Sequence, residues 1–317
     1  MWLYLAALLG LYFLRRWYRE RQTVENLREK HVLITGCDSG FGNQLARQLD
    51  ARGLRVLAAC LTPQGAEKLR QATSERLQTV ILDVTRSDSI AAAAAWVKVQ
   101  VGDKGLWGLV NNAGVGDPVA PNEWLTKDDF LTVLNVNLLG LIEVTLSLLP
   151  LVKRARGRVI NMASILGRLA FNGGGYCISK YGVEAFSDSL RRELLPFGVK
   201  ISIIEPGAFQ TPILNVQKVT DMIQEVWDRT PAEVKEAYGQ SYFDTYRKEI
   251  LQLFTTASPN LSLVTDCMEH ALTARHPRTR YSGGWDAQFY YIPVSYLPTS
   301  WQDFLATRQQ PKPAHGI

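Results

Sequence analysis

Tyr176 and Lys180 stand four residues apart in the run Tyr176-Cys177-Ile178-Ser179-Lys180, so a helix through it projects both side chains from one face. A free phenol titrates near ~10 and is a poor base at neutral pH, but an adjacent ammonium stabilises the phenolate and lowers that value. A phenol so placed takes the proton of an alcohol while hydride leaves the carbinol carbon, or returns the proton in the reverse reaction. A lone pair at this spacing is equally compatible with an ordinary exposed helix pair, so the context has to decide. Ser164 ends the expected strand Val159 to Ala163, twelve residues before Tyr176. Its hydroxyl is suited to bond a substrate oxygen and to stabilise alkoxide character. Asn137 falls inside a long apolar helical stretch, where an unpartnered amide is costly. It is expected either to hold a water that relays the proton from Lys180 or to satisfy helix backbone.

A second set of residues suits a dinucleotide. The expected first strand, His31 to Thr35, leads into Gly36-Cys37-Asp38-Ser39-Gly40-Phe41-Gly42, and a helix beginning inside that run presents free N–H groups to a pyrophosphate. Asp83, at the end of a third strand, is placed to receive an adenine amino group. Asn111-Asn112-Ala113-Gly114 closes a fourth strand on the same carboxyl edge, where open α/β sheets bind ligands. Asn111, Ala113 and Gly114 are therefore candidate cofactor contacts, and Lys180 is a candidate partner of the ribose hydroxyls.

The elements that must position these groups follow from an alternation of short apolar runs and helical stretches from Lys30 onward. This is the rhythm of a doubly wound, Rossmann-like parallel sheet. Strands are expected at 31–35, 54–60, 77–84, 106–110, 158–162 and 200–204. Helices are expected from Gly40 to Arg52, from Ser87 to about Val101, from Thr126 towards Pro150, and from Tyr176 to about Leu195. Residues 30–317 read as one domain, with substrate-side helices from about residue 208 in which strand signals are weaker. The aromatic run from Phe289 to Leu297 suits the bilayer surface, a lid on the substrate pocket, or core packing.

Residues Met1 to Leu14 carry no charged side chain, and Arg15, Arg16, Trp17, Tyr18 and Arg19 follow at once. This order is the reverse of a cleavable signal peptide, so residues 1–22 are expected to be a retained anchor with a basic flank. At ~1.5 Å per residue the apolar run with Trp17 and Tyr18 reaches about 27 Å, short for a spanning helix, and shallow insertion stays open. If it spans, the basic flank favours a cytosolic domain. Four arginines before residue 23, against Glu20, account for +3 of the formal net charge of +5. The remaining chain is almost neutral, which argues against a nucleic-acid partner. Cys37, Cys60, Cys177 and Cys267 form no CxxC pair, and His31, His270, His276 and His315 are isolated, so neither a metal site nor a disulfide framework is expected.

TGCDSGFG, NNAG, Asn137, Ser164, YCISK and Glu205-Pro206-Gly207 with Thr211 occur in the order and approximate spacing of the short-chain dehydrogenases. The resemblance covers about Lys30 to Thr211. It implies that Asn137, Ser164, Tyr176 and Lys180 form a catalytic tetrad and that Pro206, Gly207 and Thr211 face a nicotinamide. Across nearly the whole chain, MWLYLAALLG, RVLAACLT, NGGGYCISKYGVEAFSDSLRREL and CMEHALTARHPRTRYSGGWDA resemble the microsomal retinol dehydrogenase branch, whose members also oxidise 3α- or 17β-hydroxysteroids. That likeness implies an endoplasmic reticulum membrane enzyme acting on a lipophilic alcohol, retinoid or steroid. Self-association into a homo-oligomer is left open. NAD is the expected cofactor, with NADP left open. Neither Lys nor Arg lies between Thr35 and Gly42 to meet a 2′-phosphate, yet Cys60-Leu61-Thr62 supplies no acid at the end of the second strand.

Overall fold

A computed structural model describes residues 2–171, 173–211, 216–308 and 310–316. Met1 of the expected anchor, Asn172 and Ile317 lie outside the described residues. Seven parallel strands form one sheet in the order β3-β2-β1-β4-β5-β6-β7. They are β1 His31–Thr35, β2 Arg55–Cys60, β3 Gln78–Ile81, β4 Gly108–Asn111, β5 Arg158–Met162, β6 Lys200–Pro206 and β7 Arg280–Gly283. The chain runs outward from β1 to β3, returns to β4 on the other side of β1, and continues to β7. The carboxyl ends of β1 and β4 therefore flank the switch point at which such sheets bind ligands.

The strands form because they are apolar on both faces. Val32, Ile34, Val56 and Ala58 join one core with Leu45 and Leu49 of α2 (Gly40–Ala51) and Met268 and Leu272 of a late helix, Ser262–Thr273. Leu33, Leu57 and Leu109 join the other. Its cover comprises Val97 of the helix Ser87–Val101, Val144 and Leu148 of the helix Leu141–Arg154, and Leu190 of the helix Gly175–Leu194. Three expected strands are shorter than the sequence suggested, β2 by the buried Leu54 alone. Leu77, Leu82 and Val84 are buried but lie outside the edge strand β3, because apolar side chains entering the core need no ladder pairing. Leu106 is likewise buried before β4 begins.

The helix capped at Thr126 does not stop at Pro150. Lys127–Leu134, a π-helical turn Asn135–Gly140 and Leu141–Arg154 run on as one rod, with Pro150 inside its last stretch. This rod is long and apolar enough to cross a membrane, but it buries Val133, Val144, Leu148 and Val152 in the domain and is a core helix.

Residues Trp2–Glu20 form a separate helix, α1, with Leu8, Leu9, Leu11, Phe13 and Leu14 exposed. Its end is tied to the domain: Glu20 pairs with Arg278, and the Val24 N–H donates to the Thr273 carbonyl at 2.8 Å. Beyond β6, the helices Val216–Arg229, Ala232–Tyr238 and Gln240–Thr255 enclose a third core around Trp124, Trp227 and Phe243.

Candidate active site

The glycine loop is shaped by contacts that a side chain would fill. Gly36 has φ +70°, and a Cβ there would lie 2.8 Å from the Ala113 Cα. A Cβ on Gly42 would collide with the Gly36 carbonyl oxygen. Asn112 holds the loop to the end of β4 by donating its amide to the carbonyls of Thr35 (2.9 Å) and Gly36 (3.1 Å). The Thr35 hydroxyl accepts from the backbone N–H groups of Asn112 and Ala113, both at 3.0 Å. Ser39 precedes α2, is exposed, and makes no side-chain cap bond. Phe41 packs edge-on against Phe209, 5.6 Å between centroids. The result is an open concave backbone at the start of a helix, which fits a dinucleotide pyrophosphate.

Asp38 turns out of this loop onto the end of β2. Its carboxylate accepts from Leu61 N (2.7 Å), Thr62 N (3.0 Å) and the Thr62 hydroxyl (2.7 Å). The acid missing from β2 itself is thus supplied by the glycine loop. Asp83 is half-buried just beyond β3 and accepts from the N–H and hydroxyl of Thr85 through one carboxylate oxygen.

Asn111 departs from expectation. Its amide points into the protein and donates to Thr145 Oγ1 and Asn161 Oδ1, both at 2.8 Å, while Asn161 donates in turn to Ser187. Alternate strand residues face opposite ways, so of the two asparagines Asn112 reaches the loop and Asn111 the structural network. Gly114 sits against Asn137, where a Cβ would be 3.2 Å from Oδ1.

Ser164, Tyr176 and Lys180 come together. Ser164 follows β5 and is buried, with its hydroxyl near enough to the Tyr176 phenol to favour the phenolate. Lys180 is buried one turn along the helix Gly175–Leu194. Its ammonium donates to the Met162 carbonyl at 2.8 Å and lies 5.5 Å from the centroid of the Tyr176 ring. Burial depresses Lys180 to about 8 and pushes Tyr176 up to about 12, with the Ser164 hydroxyl pulling the phenol the other way. The expected lowering of the phenol by Lys180 is therefore not a property of the protein alone. Desolvation is the largest influence on the phenol, and the ammonium is directed at the Met162 carbonyl rather than at the phenol oxygen.

Asn137 lies in the π-helical turn, one layer behind. Its Oδ1 accepts from Val115 N at 2.8 Å, and its Nδ2 donates to Val115 O at 2.9 Å and to Ser179 Oγ at 3.1 Å. Both amide protons are used, so a relay water has only acceptor groups available here. The amide satisfies the backbone of the loop after β4, not that of its own helix.

Pro206 and Gly207 end β6 on the same edge, and Thr211 follows, half-buried. Asp286 fixes this turn. Its carboxylate accepts from Ala208 N at 2.9 Å and occupies the place a Cβ on Gly207 would need.

Residues 30–221 match the short chain dehydrogenase family. The chain belongs to that family. It is an oxidoreductase that uses a nicotinamide cofactor. The dehydrogenase is 63% identical to the Homo sapiens proteins named 17-beta-hydroxysteroid dehydrogenase type 6 and retinol dehydrogenase 16, in each case over 100% of both chains. Among solved structures, a short-chain dehydrogenase from Streptomyces avermitilis aligns with TM-score 0.68 at 26% identity, covering 83% of this chain and 92% of that one.

Asp286, and Arg168 in its ion pair with buried Glu205, are groups that the sequence alone did not single out, while Asn112 was read only as part of the turn after β4. Asp286 lies in the run Gly283-Gly284-Trp285-Asp286, whose paired glycines were the available signal.

Proposed function

We propose that this dehydrogenase oxidises a lipophilic alcohol, a retinol or a hydroxysteroid, to the corresponding carbonyl with NAD, at the endoplasmic reticulum membrane and with its domain on the cytosolic face. The Ser164, Tyr176 and Lys180 constellation carries the chemistry, and the full-length similarity to a retinol dehydrogenase and a hydroxysteroid dehydrogenase supports the substrate class. When bound, an oxidised nicotinamide would supply the hydride acceptor and a positive charge that favours the phenolate. Ser164 bonds the substrate oxygen, Tyr176 takes its proton, and Lys180 stabilises the anion that results and bonds the ribose. Gly36, Ser39, Gly40, Phe41 and Gly42 would hold the pyrophosphate, with Asp83, Ala113 and Gly114 along the adenosine and Pro206, Gly207 and Thr211 beside the nicotinamide. The exposed apolar face of α1 supports the membrane assignment, as do Trp285, Phe289, Tyr296 and Trp301, which stand exposed on the substrate side.

Asp38 supports NAD over NADP. Three hydrogen bonds hold its carboxylate at the end of β2, where an acid receives the ribose hydroxyls of NAD and repels a 2′-phosphate. The test is a comparison of kcat/KM for NAD and NADP with all-trans-retinol and with a 3α-hydroxysteroid. NAD is expected to lead by about tenfold or more with either alcohol, which corresponds to ~1.4 kcal/mol. Equality, or a lead for NADP, would make the enzyme a carbonyl reductase instead.

A further inference from the structure

At the amino edge of the sheet, opposite the nucleotide edge, a second cavity of about 680 Å³ opens where β1, β2 and β3 begin. Its lining is basic: Arg28, Arg52, Arg55 and Arg76 face a single acid, Glu75. Two of these cations are already shared, Arg52 with Glu269 at 2.6 Å and Arg76 with Asp50 at 3.6 Å. Arg28 and Arg55 form no ion pair among the described residues. Such a concentration of guanidinium groups repels itself unless an anion intervenes.

His31, the first residue of β1, also lines the cavity. It is only 8% exposed, and its Nδ1 is buried without a hydrogen-bond partner. A buried polar atom left unpaired costs free energy and calls for an explanation. Burial and the positive charges of Arg55 and Lys104 hold the imidazole below its ordinary pKa, and Lys104 itself is paired to Glu29 at 2.9 Å. An anion in the cavity would offset the charge of the unpaired Arg28 and Arg55 beside this imidazole.

The chemistry narrows the ligand. The one aromatic ring in the lining is the His31 imidazole, with no Phe, Tyr or Trp to sandwich a nucleobase. Arginines approaching from separate elements suit several oxygens around a tetrahedral centre better than the two coplanar oxygens of a carboxylate. The volume exceeds that of a bare ion and leaves room for a polar substituent. We infer that this cleft binds the phosphate of a polar phosphate ester, with Arg28 and Arg55 on its oxygens and the His31 imidazole beside it. Such a phosphate has two sources, an anionic lipid headgroup or a soluble ester. The cleft lies on the edge at which the chain enters the domain from α1, and Arg28 follows Glu20 by eight residues. The site does not depend on the alcohol proposed above, and only its lipid source depends on the membrane assignment.

The experiment uses the full-length protein in uncharged detergent micelles. The imidazole NMR signal of His31, assigned by its loss in His31→Gln, is followed against inorganic phosphate and, separately, against micelles containing phosphatidylinositol. A saturable shift of that signal is expected. In the Arg28→Glu, Arg55→Glu double variant the apparent affinity should fall about tenfold or more, because charge-assisted bonds to the anion are replaced by repulsion. Both arginines are exposed and remote from the hydride site, so alcohol oxidation by the double variant should match wild type and serves as the check on folding. A response to phosphate alone assigns a soluble ester, and a response to phosphatidylinositol alone assigns a headgroup. A response to both establishes the shared chemistry. Absence of a saturable response to either probe, or an equal response in the charge-reversed variant, overturns the inference.

Discussion

The nucleotide side and the substrate-side cap are held together by different forces. Along the carboxyl edge, Thr35, Asp38, Asn112 and Asn137 each bond backbone groups of a neighbouring loop. In the cap, Trp124 lies at the centre of five other rings, from Trp227 at 4.7 Å to Phe243 at 6.3 Å. Directional bonds to backbone fix atoms to within tenths of an ångström, which hydride and proton transfer require. Aromatic packing fixes shape but tolerates change, which suits a surface that selects among bulky apolar alcohols. Buried side-chain atoms without partners occur on both sides, Trp124 Nε1 and Tyr246 OH in the cap and Asn111 Oδ1 at the end of β4, but the amides of Asn112 and Asn137, which hold the loops, are engaged.

If this division is right, substitutions on the two sides should fail in different ways. The largest effect is expected at Lys180. Lys180→Met keeps the stem and removes the ammonium, and kcat/KM for the alcohol should fall by ~10²–10⁴-fold, the range for positioned acid/base machinery. Steady-state kinetics with a folded variant decide it, and a fall of less than about fivefold would detach Lys180 from the chemistry. A smaller catalytic effect but a larger structural one is expected at Trp124. Trp124→Ala should cost ~3–5 kcal/mol of stability, the usual penalty for emptying a buried aromatic site, while cofactor affinity stays near wild type. Denaturant unfolding and cofactor titration on the same preparation measure both. A loss of cofactor affinity comparable to the loss of stability would erase the distinction between the two sides.

The same contrast governs what could be read from the sequence. β1 was legible because His31–Thr35 is buried on both faces, so its apolar run has no competing explanation. β7 was not, since Arg280-Tyr281-Ser282-Gly283 gains its place from partners distant in sequence. Arg280 bonds Glu184 and Asp188, and Gly283 pairs with Pro206. The roles of Asn111 and Asn112 depended on the parity of a strand whose end shifted by one residue. The π-helical turn at Asn135–Gly140 leaves no mark in apolar spacing, although it places Asn137 against Val115. Tyr176 and Lys180 were legible from their spacing together with Ser164 upstream and the motifs around them. The direction of the tyrosine's shift was not, because burial is a property of the whole fold.

The central claim is that the Tyr176 hydroxyl moves the substrate proton, and a single-turnover measurement on Tyr176→Phe tests it most directly. Rapid mixing of the variant with NAD and the preferred alcohol, following NADH formation, isolates the hydride step from product release. The substitution removes only the hydroxyl, so NAD binding measured by titration should remain near wild type. The rate of NADH formation should fall by ~10²-fold or more. A variant that binds NAD normally and keeps more than about a tenth of the wild-type rate would contradict the assignment of Tyr176 as the acid/base.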